Sequence, residues 1–105
     1  MALELLSVEQ DGQWVIRAKG EVDLYASPDL RAAILKAVSD PRGGVAVDLS
    51  QVEYMDSSGV ATLVEGLKSA GQRKVSFSLL APSQAVMKVL QLSRLDSVFD
   101  IRESL

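Results

Sequence analysis

The chain has 105 residues, 48% of them hydrophobic and 24% charged, and carries a formal net charge of -3. That length fits one domain, residues 1–105, around one core. It contains no cysteine and no histidine, which excludes a disulfide framework, thiolate chemistry, a Ser-His-Asp triad and the commonest metal ligands, while the acidic balance and scattered Lys and Arg argue against nucleic acid as a partner. No apolar run approaches the roughly 18 residues that span a bilayer. Met1-Ala2-Leu3-Glu4-Leu5 lacks the basic start and long apolar core of a signal peptide, so a cytoplasmic protein without membrane insertion is expected.

Leu3, Leu5 and Val8 suggest a first strand, and Asp11-Gly12 is the signal of a tight hairpin turn. From Trp14 to Lys19 the residues alternate, with Trp14, Ile16 and Ala18 on one face and Val15, Arg17 and Lys19 on the other, as in a half-exposed antiparallel strand. Gly20-Glu21-Val22-Asp23-Leu24 then leaves the strand. Ser27-Pro28-Asp29 predicts a helix start: Ser27 as cap, Pro28 at the first helical position, Asp29 at the positive end of the dipole. Leu30, Ala33, Ile34, Ala37 and Val38 form its apolar stripe, and Asp40-Pro41-Arg42-Gly43-Gly44 ends it.

Val45-Ala46-Val47-Asp48-Leu49-Ser50 reads as a buried strand covered on both faces, followed by a crossing segment from Gln51 to Met55. Two strands joined by the Ser27 helix make a βαβ unit with a right-handed crossover. Asp56-Ser57-Ser58-Gly59 precedes a second helix from Val60 to Gly71, with Val60, Leu63, Val64, Leu67 and Ala70 inward and Thr62, Glu65, Lys68, Ser69 and Gln72 on the polar side. A turn at Gly71-Gln72-Arg73-Lys74 leads to a strand at Val75–Leu80. A third helix opens at Pro82-Ser83 with Val86, Val89 and Leu90 inward, and Val98–Ile101 is a short last strand at a sheet edge. The order β-β-α-β-α-β-α-β predicts an α/β domain, a mixed and mostly parallel sheet of about five strands with three main helices on one or both faces.

Asp23, Asp48, Glu53 and Asp56 are the candidate carboxylates. Asp23 and Asp56 follow strands and can share one rim, where open α/β sheets gather their functional groups. On the residues alone, Asp56 and Ser58 read first as caps of the Val60 helix. A catalytic carboxylate pair lacks a nucleophile, metal set or phosphate loop beside it, and a two-acid magnesium site is weak without a substrate phosphate. Trp14 is expected to pack within the sheet.

Taken together, Gly20-Glu21-Val22-Asp23-Leu24, Val47-Asp48-Leu49-Ser50, Asp56-Ser57-Ser58-Gly59-Val60 and Leu90-Gln91-Leu92-Ser93-Arg94-Leu95-Asp96-Ser97-Val98-Phe99 resemble the STAS domain, in particular the bacterial anti-sigma factor antagonists, over essentially the whole chain. The resemblance implies a regulatory protein, not an enzyme, with no cofactor and no metal. It implies that Ser58 is phosphorylated by an anti-sigma factor that is also a serine kinase. The bare form then binds that factor and frees the sigma factor, and a phosphatase restores it. The implied docking surface comprises Asp23, Asp56, Ser57, Ser58, Gly59, Thr62 and Glu65, with Val60 or Ala61 partly exposed beside them. A phosphate at a helix start suits the dipole, so the switch is expected to act by charge and bulk without displacing the helix. The family also implies two alternatives, an accessory subunit bound to the ATPase of a lipid-transport ABC transporter and a nucleotide-sensing or stressosome-like scaffold. A monomer is expected, with the C-terminal edge strand the place for any weak dimer contact.

Overall fold

The computed structural model describes residues 3–40 and 43–105. Its elements are β1 (Leu3–Gln10), β2 (Gln13–Val22), α1 (Ser27–Val38), β3 (Gly44–Met55), α2 (Ser57–Arg73), β4 (Ser76–Leu80), α3 (Gln84–Leu92) and β5 (Asp100–Arg102), in the order the sequence predicts. Asp11 and Gly12 turn the β1–β2 hairpin with φ of 54° and 79°, the two left-handed residues that a tight hairpin requires. The sheet runs β1-β2-β3-β4-β5; β1 is antiparallel to β2 and every later pair is parallel.

Each parallel neighbour follows its predecessor in the same direction across the sheet. Right-handed crossovers therefore put all three helices over one face. Leu30 and Ile34 of α1, Leu63 of α2, and Val86 and Leu90 of α3 meet Ile16, Val47, Leu49 and Leu79 in a single buried cluster. Among the described residues, the other face carries only a small buried cluster of Val15, Ala46 and Leu80, with Val8 against it. β3 is buried on both faces over Val45, Ala46 and Val47, as expected, with the helices on one of the two: Val45, Val47 and Leu49 join the helix-covered cluster, whereas Ala46 packs in the smaller one and Asp48, on that same face, lies 3.8 Å from Arg17. Trp14 packs against the main core as expected.

Several boundaries move for identifiable reasons. β2 does not stop at Lys19, and Gln51–Met55 is not a crossing segment. Pairing is interrupted between Arg17 and Lys19 and again between Gly20 and Glu21, then resumes as Glu21 with Tyr54 and Val22 with Met55. Gly20, at φ 113°, absorbs the irregularity, and burial of Val22, Val52 and Met55 rewards the extension. Ser27 is not the cap of α1. Ala26 precedes the helix with no side-chain cap, Ser27 is its first residue, and Asp23 holds the approach instead.

Helix α2 begins at Ser57, not Val60, and does not end at Gly71; it runs to Arg73 and stops at Lys74, whose φ of 57° lets the Val75 N–H reach back to the Ala70 carbonyl at 2.9 Å. Thr62, expected on the polar side, is buried. Val89 is only partly buried. The last strand is displaced to Asp100–Arg102, because Phe99 turns into the core and leaves Val98 exposed. It is an edge, as predicted. Pro41 and Arg42, part of the predicted stop of α1, lie outside the described residues.

Candidate functional site at the start of helix α2

Two strand ends meet at the carboxyl edge of the sheet. The Asp56 backbone N–H donates to the Val22 carbonyl at 3.2 Å, tying the end of β3 to the end of β2. The β2–α1 loop and the β3–α2 junction therefore lie side by side, and Asp23 and Asp56 share one rim as the sequence predicts.

Asp56 is the N-cap of α2. Its backbone is extended, and its Oδ1 accepts the Ser58 N–H at 2.9 Å. The same oxygen accepts the Ser58 Oγ hydroxyl at 2.5 Å. That hydroxyl is the main cause holding the Asp56 carboxyl below the usual range; partial burial works against it, and the backbone N–H groups of Ser58, Gly59 and Leu24 reinforce it. Asp56 is thus an anion fixed between a helix start and a neighbouring loop. Ser58 is a partly exposed hydroxyl oriented by that anion, and Ser57 is exposed. Of the two capping candidates, Asp56 accepts and Ser58 donates.

Gly59 is buried, and its place in the site is steric. A Cβ there would sit 2.6 Å from Met55 Cγ and 2.9 Å from Val22 Cγ1. Its absence lets the first turn of α2 settle on the two strand ends and so sets the height of Ser58 above the sheet. Thr62 lies beneath the site, donating from Oγ1 to the Ser58 carbonyl at 3.0 Å. Val60 is buried and Ala61 exposed. Glu65 accepts from Arg31 of α1 with both oxygens, at 2.8 and 3.0 Å, which lowers its pKa and joins α2 to α1.

Asp23 spends its carboxylate on its own loop. Oδ1 accepts the N–H groups of Tyr25 at 3.0 Å and Ala26 at 2.9 Å, while its carbonyl accepts the Ser27 N–H at 2.9 Å. The loop so pinned presents Leu24 and Tyr25 to solvent, 67% and 89% exposed. Sequence reasoning missed both. The available signal was a pair of large apolar side chains in a polar loop, directly after a strand and before Ser27-Pro28. Glu53 is exposed in β3, and Asp48 stays apart in mid-strand, where it accepts from the N–H and hydroxyl of Ser50. Among the described residues no three His, Cys, Asp or Glu side chains gather into a metal-binding group, and no helix is long and apolar enough to cross a membrane.

The chain and its fold have counterparts among known proteins. The family model described as Mlab, STAS domain matches residues 6–103. The anti-sigma-B factor antagonist of Staphylococcus epidermidis is 25% identical over 103 residues, covering 98% of this chain and 95% of that protein. Among solved structures, an anti-sigma factor antagonist from Mycobacterium paratuberculosis superposes with a TM-score of 0.89 at 29% identity, over 99% of this chain and 88% of the other. The anti-sigma factor antagonist SpoIIAA matches in its unphosphorylated form with TM-score 0.78 at 28% identity, over 98% of this chain and 89% of the other. Its phosphorylated form, from Bacillus, matches with TM-score 0.73 at 27% identity, over 98% and 92%. Strand order, helix placement and a family match from residue 6 to residue 103 agree: the chain belongs to the STAS domain family.

Proposed function

We propose that the protein is an anti-sigma factor antagonist whose bare form binds an anti-sigma factor with serine kinase activity, and that phosphorylation of Ser58 ends the binding. The observation that carries the reading is Ser58 itself, a reachable hydroxyl on the first turn of a helix, held by a carboxylate and backed by a close-packed glycine. Similar proteins that bear the name anti-sigma factor antagonist, one of them known in a phosphorylated form, support it.

The chemistry is consistent with such a switch. Phosphorylation replaces the hydroxyl proton with a group carrying about -1.5 to -2 charges at pH 7. The helix start tolerates this charge, because its free N–H groups and dipole favour an anion. Asp56 does not, since it loses its shortest donor and gains a like charge. Helix α2 stays folded while the surface in front of it becomes more negative and bulkier, and a partner seated there is repelled. The protein is acted upon; the kinase supplies the catalysis, and a phosphatase removes the ester. Ser57, Ser58, Asp56 and Asp23 form the contact zone, whereas Gly59 and Thr62 shape it from below and Glu65 fixes the two helices that flank it.

The test is phosphorylation of the purified chain by the serine-kinase anti-sigma factor of the same genome, with radiolabelled ATP. Wild type and Ser57→Ala take up phosphate, and Ser58→Ala does not. Labelling lost in Ser57→Ala and kept in Ser58→Ala would transfer the role to the neighbouring hydroxyl. Stable co-purification with a transporter ATPase, and no labelling, would favour the accessory-subunit alternative.

A further inference from the structure

Two features of the β2–α1 loop and its surroundings have no part in the phosphorylation of Ser58. Leu24 and Tyr25 are exposed at 67% and 89%, yet the loop that carries them is held by three hydrogen bonds to Asp23, from the N–H groups of Tyr25, Ala26 and Ser27, so the side chains are displayed from a fixed frame. The second feature is charge. From Gly20 to Leu30 and from Ser50 to Leu67 there is no Lys or Arg, while Glu21, Asp23, Asp29, Glu53, Asp56 and Glu65 all fall within these segments. The nearest cation on α1, Arg31, is occupied by Glu65.

We infer that Leu24 and Tyr25 are the apolar anchor of the partner interface, inserted into a hydrophobic slot whose rim carries Lys and Arg. The inference rests on the proposed function for the identity of the partner but not for the existence of the anchor. Tyrosine is among the side chains that most often dominate interface energetics, because it brings a large apolar area at small rotamer cost. Pre-ordering the loop through Asp23 removes part of the entropy otherwise lost on docking. An isolated exposed leucine needs no explanation, but two adjacent apolar side chains on a pinned loop beside a candidate switch do. The acidic surround assigns the sign of the rim: with Glu65 paired to Arg31, Asp23 and Asp56 still set carboxylates beside the loop, so a carboxylate-bearing partner face would meet like charge there, whereas a basic rim is attracted. The anchor lies beside Asp56, whose carboxylate faces the Leu24 N–H as well as Ser58, so a phosphate on Ser58 falls at the edge of the slot. Asp23 acquires a definite part as a positioning residue for the anchor.

The experiment uses the full chain carrying the photo-crosslinking residue p-benzoylphenylalanine in place of Tyr25, expressed in the source cell, with the same residue at Leu92, 77% exposed on α3, as control. Expected is a crosslink from position 25, absent from position 92, mapping by mass spectrometry to an apolar pocket flanked by Lys or Arg. If the captured protein is a serine-kinase anti-sigma factor, anchor and proposed function both stand. If it is a transporter ATPase with such a pocket, the anchor stands and the sigma-factor reading falls. A crosslink to an acidic or uniformly polar surface, to a second copy of this chain, or to nothing overturns the anchor. A second arm measures affinity for the serine-kinase anti-sigma factor by calorimetry. Tyr25→Ala and Leu24→Ser are each expected to weaken binding at least tenfold, Tyr25→Phe to keep it within threefold, and binding to weaken steeply between 0.05 and 0.5 M salt. Tyr25→Ala and Leu24→Ser both binding within twofold of wild type would refute the inference even if Ser58 is phosphorylated.

Discussion

One substitution, glycine to alanine, should have opposite effects at different positions of the same helix. Gly59, Gly66 and Gly71 all lie in α2. In a helix interior, alanine is favoured over glycine by about 1 kcal/mol through backbone entropy. At Gly71 nothing lies within 4 Å of the added Cβ, so most of that gain should appear as stability. At Gly66 the Cβ would stand 2.7 Å from Ile34 Cγ2 and 2.9 Å from Phe77 Cζ, both in the buried core, so helix, strand or ring must move. Overpacking of this kind costs about 1–3 kcal/mol. Both variants share the helical gain, so they should differ by the overpacking cost, about 1–3 kcal/mol, a separation of roughly 4–20 °C in Tm for a domain of this size. Gly59→Ala should fall between them: its nearest contact is the flexible Met55, but Val22 Cγ1 at 2.9 Å cannot turn away. Urea unfolding followed by circular dichroism, with unchanged m-values, measures the order Gly71→Ala above wild type, then Gly59→Ala, then Gly66→Ala. Gly66→Ala matching Gly71→Ala in stability would refute the close approach of α2 to α1 and β4 on which the position of Ser58 depends.

Further outcomes follow from the site. Asp56→Ala removes the cap of α2 and should lower stability by about 1 kcal/mol in urea unfolding at pH 7. Because the folded carboxyl of Asp56 titrates below its ordinary value, its stabilising effect is present above the unfolded pKa and is lost as pH falls through the folded one; the Tm advantage of wild type over Asp56→Asn should shrink below about pH 4. Thr62→Val leaves a buried position apolar and is expected to hold partner affinity within twofold by calorimetry, in contrast to Tyr25→Ala. Ser58→Asp should keep the wild-type circular dichroism spectrum while binding the anti-sigma factor poorly; loss of the folded spectrum would refute a surface switch.

Much of this fold is legible locally. Asp11-Gly12 dictates its hairpin because few other residues accept two left-handed positions in succession. The apolar periods of α1 and α2 dictate their buried faces, and the tetrad at Asp56 already carries the chemistry of a capped hydroxyl. The misplaced boundaries have two causes. The extension of β2 and β3 and the late start of β5 depend on partners remote in sequence, Met55 beside Val22 and Phe99 reaching the core, whereas the run of α2 past Gly71 is a local matter, ended by the left-handed Lys74 and the Val75 N–H closing on Ala70.

By itself, then, the order of residues determined the succession of elements, the single core and the serine at a helix start, because caps, turns and apolar periods act over a few residues. Only the tertiary structure decided that all three helices share one face, that Thr62 is buried and Glu65 bound to Arg31, and that Leu24 and Tyr25 stand in the open beside Ser58. Those outcomes depend on which strand ends are brought together, and the Asp56 N–H on the Val22 carbonyl joins residues that no local pattern relates.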